Sequence, residues 1–125
     1  MKENVNILWF KRDLRIHDNA PLHEAARVGL PVIPLYVVEP DYWRQPFASR
    51  RHWSFIHDCL VELHIDCTNL GQPLIVRVGN IVEILNTLNT NHSIKGIYAH
   101  EESGNGWTYY RDRKVIEWCK NQSIP

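Results

Sequence analysis

Apolar positions along the chain fall into two alternating rhythms, short continuous runs and longer stretches with a three-four repeat. Val5–Phe10 is apolar apart from Asn6 and has the length of a buried strand. Asp18 and Asn19 then offer a helix cap, Pro21 sits in the first turn, and Leu22, Ala25 and Ala26 supply an apolar face that Gly29 closes. Pro31–Val38 is a second strand-length run, and its two prolines, lacking an N–H, place the strand mainly at Ile33–Val38. Glu39–Ser49, with two prolines and the aromatics Tyr42, Trp43 and Phe47, reads as a long connection. The clearest period follows: Trp53, Ile56, Leu60, Leu63, Cys67 and Leu70 mark an amphipathic helix ending near Gly71. Leu74–Val78 is a short strand. Asn80 with Glu83 matches a capping pattern before Ile81, Ile84, Leu85 and Leu88. Ile94–Ala99 is the fourth strand, and Val115, Trp118 and Cys119 belong to a last helix beginning around Thr108.

Strands alternating with helices predict parallel pairing, right-handed crossovers and helices on both faces of the sheet. The expected fold is therefore α/β, a three-layer Rossmann- or flavodoxin-like sandwich with four to five parallel strands, forming one domain over residues 1–125. The second strand is expected beside the first. Trp53, Ile56, Leu60 and Leu63 are expected to face the sheet, with Leu8, Ile33, Leu35, Val76 and Ile97 inside it. The sequence stops at Ser123-Ile124-Pro125, where a fifth strand is expected to start, so the end reads as a boundary within a longer protein.

Composition narrows the function classes. The 125 residues are 44% apolar and 22% charged with zero formal net charge, an ordinary globule without the basic excess of a nucleic-acid binder. Any DNA contact would be local, around Arg12 and Arg15 or Arg44, Arg50 and Arg51. No apolar run approaches the ~20 residues of a membrane span, and nothing resembles a signal peptide, so no membrane partner and a cytoplasmic location are expected. Cys59 and Cys67 share one predicted helix about 12 Å apart along its axis, too far for a disulfide. Reduced thiols are expected.

Candidate chemistry gathers after the strands. Lys11-Arg12-Asp13-Leu14-Arg15-Ile16-His17-Asp18-Asn19 follows the first strand, at the carboxyl end where open α/β sheets bind ligands. Arg12, Asp13 and Arg15 form either a surface ion-pair cluster capping the next helix or ligand contacts. Tyr36-Val37-Val38-Glu39 ends the second strand; Tyr36 is either a core aromatic or a wall against which a flat heteroaromatic ring stacks. His100-Glu101-Glu102-Ser103-Gly104-Asn105-Gly106 follows the fourth strand, either a solvated turn or a source of one inward acid, Glu101. There is no glycine fingerprint after the first strand, no P-loop and no four-ligand metal set. Trp9, Trp53 and Trp118 read as packing residues, while Trp43 and Trp107 read as loop residues, exposed or at an interface.

The run Trp9-Phe10-Lys11-Arg12-Asp13-Leu14-Arg15-Ile16-His17-Asp18-Asn19 closely resembles the opening signature of the DNA photolyase/cryptochrome family. The similarity extends through Val38-Glu39-Pro40, Ser49-Arg50-Arg51, Gly71-Gln72-Pro73-Leu74, the His100–Asn105 stretch and Tyr110-Arg111-Asp112. Lys11 stands where many members have another arginine or a histidine. The resemblance implies an N-terminal α/β domain that holds a light-harvesting chromophore (a folate, a deazaflavin or FMN), with Arg12, Asp13, Tyr36, Glu39 and Glu101 as its contacts. It further implies a helical partner domain that binds FAD and repairs pyrimidine dimers in damaged DNA. That helical domain is not in the sequence, so the fragment alone is expected to bind no FAD and to be inert. The same domain in a cryptochrome-like blue-light photoreceptor is the alternative; an unrelated nucleotide-binding module is the more distant one.

Overall fold

A computed structural model describes residues 3–11, 19–27, 29–43, 50–99, 106–122 and 124. The elements run β1 (Asn4–Phe10), α1 (Ala20–Arg27), β2 (Val32–Val38), α2 (Pro40–Trp43), α3 (Arg50–Asn69), β3 (Ile75–Val78), α4 (Ile81–Asn91), β4 (Ser93–Tyr98) and α5 (Gly106–Asn121). Every strand pair is parallel and the order is β3-β2-β1-β4, so the second strand does lie beside the first. β1 is flanked by β2 and β4, and the chain reverses direction across the sheet at that point.

Strand alternation divides the interior into two layers. Val5, Ile7 and Trp9 of β1, with Leu35 and Val37 of β2, pack with Ile81 and Leu85 of α4 and Val115 and Trp118 of α5. Leu8, Phe10 and Tyr36 point the other way, into Ile56, Leu60, Leu63 and Cys67 of α3 with Leu22 of α1 beside them. Crossovers from β1 through β3 thus share one face and the return to β4 takes the other, as right-handed connections require.

The ends of the helices follow from local chemistry. Asn19 caps α1 by accepting from the Leu22 N–H at 3.0 Å. At the end of α3, Gly71 adopts φ 98° and donates to the Thr68 carbonyl at 3.0 Å, while Gln72 donates to the Cys67 carbonyl at 3.1 Å. That is the paired-bond closure a glycine permits because it tolerates positive φ. Pro34 sits inside β2 without breaking it. Asn6 donates to the Pro31 carbonyl and Gly79 to the Val38 carbonyl, so odd residues of β2 bond β1 and even ones face β3. Pairing with β3 begins only at Leu35, and the missing Pro34 N–H falls ahead of that ladder.

Several expectations need correction. Val76 is not in the core: β3 is an edge strand of four residues, and Val76 is 40% exposed while Leu74, just before the strand, is buried instead. Leu70 lies past the end of α3 and is exposed, and Ala26 turns away from the α1 contact face. Part of the long connection is helical, as α2. Trp43 within α2 and Trp107 in the first turn of α5 are half-buried rather than loop residues. All three cysteines are free, as expected.

Candidate functional site

The carboxyl edge of the sheet gathers the ends of β1 and β2 and the start of α5. On α5 the buried positions are Thr108, Arg111, Val115 and Trp118, steps of three, four and three. The apolar stripe that seats the helix on the sheet therefore continues into polar residues over its first two turns. Those turns overlie the strand ends, and this carries Arg111 inward.

Arg111 meets Glu39 there. Nη1 of Arg111 donates to Oε1 of Glu39 at 2.5 Å, with side chains 9% and 10% exposed. Nε of Arg111 donates to Asp112 at 2.9 Å, and Nζ of Lys11 donates to the other Asp112 oxygen at 3.1 Å. Among the described residues, two cations and two carboxylates thus link as Glu39–Arg111–Asp112–Lys11. Trp9 lies beneath both cations, 4.6 Å from Lys11 Nζ and 4.9 Å from the Arg111 guanidinium carbon. The Trp107 ring takes the guanidinium at 5.5 Å. Cation–ring contacts of this kind are favourable by about 0.5–2 kcal/mol, more when desolvated.

Beside this network, a cleft of about 160 Å³ is lined by Glu39, Asn80, Trp107, Tyr110, Arg111 and Lys114 among others. It is small against the ~300 Å³ and more of ordinary ligand pockets. Across the sheet, the layer that holds Tyr36 carries more aromatic surface. Trp43 and Trp53 pack against that cluster, their ring centroids 5.3 Å apart in an edge-on pair.

Of the residues singled out from sequence, Arg12, Asp13 and Glu101 lie outside the described residues. Tyr36 is buried and faces α3; Glu39 is buried and faces α5. These two therefore stand on opposite faces of the sheet. Sequence reasoning had no role for Arg111, Asp112 or Lys11 beyond resemblance. The signal was present: Arg111 continues the Val115–Trp118 stripe, and Glu39 continues the Leu35–Val37 parity. Among the described residues no group of three or more His, Cys, Asp or Glu is placed to hold a metal ion. Nor is any described helix long and apolar enough to cross a membrane.

A family model for DNA photolyase matches residues 6–125. The chain belongs to the DNA photolyase family. It is 30% identical over 107 residues to the chloroplastic/mitochondrial cryptochrome DASH of Arabidopsis thaliana, covering 81% of this chain and 19% of that protein. It is 37% identical over 76 residues to the deoxyribodipyrimidine photo-lyase of Streptomyces griseus, covering 61% of this chain and 17% of the relative. The Synechocystis cryptochrome structure superposes with TM-score 0.87 at 23% identity, over 99% of this chain and 26% of that one. The archaeal photolyase of Sulfolobus tokodaii, solved with two FAD molecules, superposes with TM-score 0.86 at 27% identity, over 96% of this chain and 28% of its own. In fold and sequence the chain is the N-terminal α/β domain of this family. It spans roughly a fifth of the length of the curated relatives it matches.

Proposed function

We propose that this domain holds a light-harvesting chromophore at the carboxyl edge of its sheet, within a longer photolyase-like protein whose helical domain binds FAD and repairs damaged DNA. The observation that carries the reading is the aromatic set on the α3 side, Tyr36 with Trp43 and Trp53, in a domain whose family is shown. When bound, such a chromophore absorbs light and passes the excitation to FAD. The chain's own part is to seat it: Tyr36 supplies an aromatic wall, and Arg12, Asp13 and Glu101 supply polar contacts from the segments after β1 and β4. Glu39 contributes through Arg111 rather than as a free acceptor, because its carboxylate is already engaged. The Sulfolobus tokodaii photolyase, described as implicating a novel light-harvesting cofactor, supports the reading by analogy.

Titration of the full-length protein with FMN, a deazaflavin and a folate, repeated after Arg12→Ala and Tyr36→Ala, tests the site. Affinity undiminished in both variants would sink it. A photoreceptor role is the second reading. It rests on the cryptochrome DASH relatives, which align over 81% and 77% of the chain. Repair of a dimer-containing oligonucleotide under blue light separates the two.

A further inference from the structure

We infer that the outward face of α3 docks a basic amphipathic helix of a partner protein. This goes beyond the antenna reading and does not depend on it. The inner face of α3, Ile56, Leu60, Leu63 and Cys67, packs on the sheet. Turned away from it, Phe55, Val61 and Ile65 are 65%, 51% and 53% exposed, three large apolar side chains on one helix. Asp58, Glu62 and Asp66 are exposed on the same side and, four residues apart, form one ridge along the helix. Val61 and Ile65 make the adjacent ridge on one side of the carboxylates, and Phe55 flanks them on the other.

Charge selects the occupant. No lysine or arginine occurs between residues 52 and 76. Among the described residues Glu62 and Asp66 have no ion pair, and Asp58 has only the His57 imidazole at 3.9 Å. Asp58 with Glu62, and Glu62 with Asp66, are like-charge neighbours at the spacing where helix side chains meet, which disfavours the helix. Asp66 also stands in the last turn, where the helix end is already negative and a cation is preferred, and α3 has no basic residue there. Apolar side chains grouped among polar ones mark an interaction site. Local rules broken together on one exposed face, without compensation inside the domain, are the pattern of a functional surface. Lysines or arginines laid along the carboxylate ridge, with apolar side chains to either side, relieve all of these costs at once. Nucleic acid and anionic membrane carry the wrong sign for this face. The competing occupant is α5 of a second copy, whose exposed Arg113, Lys114 and Lys120 are interrupted by Glu117.

The test uses the full-length protein and a fluorescein-labelled synthetic peptide of leucine and lysine in helical amphipathic order, against the same composition scrambled. By fluorescence anisotropy the ordered peptide is expected to bind about tenfold tighter, since equal charge leaves only the apolar stripe to distinguish the two. Val61→Ser with Ile65→Ser is expected to weaken binding about tenfold without changing charge, and Asp58→Lys with Glu62→Lys at least as much. The charge variant should also raise the urea midpoint, because it relieves the like-charge pairs. A lowered midpoint would make the carboxylates structural and overturn the assignment. Should that variant fail to fold, Glu62→Gln replaces it, with a smaller loss of binding and a smaller rise in midpoint. Ile116→Ser, on the exposed side of α5, is expected to leave peptide affinity unchanged. Equal affinity for the two peptides, undiminished affinity in the α3 variants, or a comparable loss in Ile116→Ser overturns the docking surface. Maleimide labelling of Val61→Cys, read at that position by mass spectrometry, checks that the face is open, with a rate within about tenfold of that in concentrated urea expected. Strong protection overturns the proposal, because the face is then covered by the rest of the protein or, where sedimentation shows self-association, by a second copy.

Discussion

Glu39 and Arg111, 72 positions apart in the chain, close on each other as a buried ion pair at the carboxyl edge of the sheet. Neither residue reaches this point by an unusual backbone. Glu39 extends the alternation of the buried Leu35 and Val37 by one step past the strand, and Arg111 extends the inward stripe of Val115 and Trp118 by one turn toward the helix start. The two periods, two residues in the strand and 3.6 in the helix, converge because α5 lies across the strand ends. The polar ends of both patterns meet where the apolar core stops.

Removing one partner should therefore be costly. Arg111→Leu removes the Arg111 guanidinium from the buried Glu39 carboxylate, and loss of a partner in a buried pair costs about 3–5 kcal/mol. Combining Arg111→Leu with Glu39→Leu should cost less than the sum of the single changes, because the double variant strands no Glu39 charge. Urea unfolding of the four species gives the answer. A single-variant loss below about 1 kcal/mol would mean that the pair behaves like an exposed one.

How much of this was legible in the sequence depends on whether a residue's environment is set locally. The α3 repeat from Ile56 to Cys67 and the Asn80 cap were readable because neighbours a turn away decide them; Asn80 accepts from the Val82 N–H at 2.9 Å, as the pattern requires. The exposure of Val76 is not legible, because an apolar residue in a strand does not reveal whether that strand is central or at the edge, and β3 has β2 on one side only among the described strands. Strand parity, legible from the spacing alone, puts Tyr36 and Glu39 on opposite faces of the sheet. The Lys11–Asp112 bond joins residues 101 positions apart, and nothing local to either end specifies it. α2 escaped notice because four residues give no period to read.

Leu63 and Val61 provide an internal control on the face of α3. Leu63 is 1% exposed against the sheet, and Val61, two residues earlier, is 51% exposed. Leu63→Ala should lose about 2–5 kcal/mol, the usual range for emptying a buried leucine site. Val61→Ala should stay within about 0.5 kcal/mol, as for an ordinary surface change. Chemical denaturation of both variants decides, and similar losses would show the helix to be rotated from its assigned face.

Cys67 should make the domain less stable in alkali. Burial against the sheet pushes its thiol up to about 11, and the neighbouring Asp66 carboxylate adds to the shift. In the unfolded chain a cysteine releases its proton near ~8.5. Above that pH the unfolded chain binds fewer protons than the folded one, so unfolding becomes easier as pH rises. The stabilisation is complete below the unfolded value and is lost progressively until pH passes the folded one. Urea midpoints taken at about pH 8 and about pH 10.5 should fall for the unaltered protein by more than for Cys67→Ala, the difference isolating this thiol from lysines and tyrosines that also titrate there. Because the thiolate is the reactive form, iodoacetamide at about pH 8 should label Cys67 far more slowly in the folded protein than in concentrated urea. Equal labelling rates in the two states, or identical pH dependence in Cys67→Ala, would show that this thiol is not held in the interior.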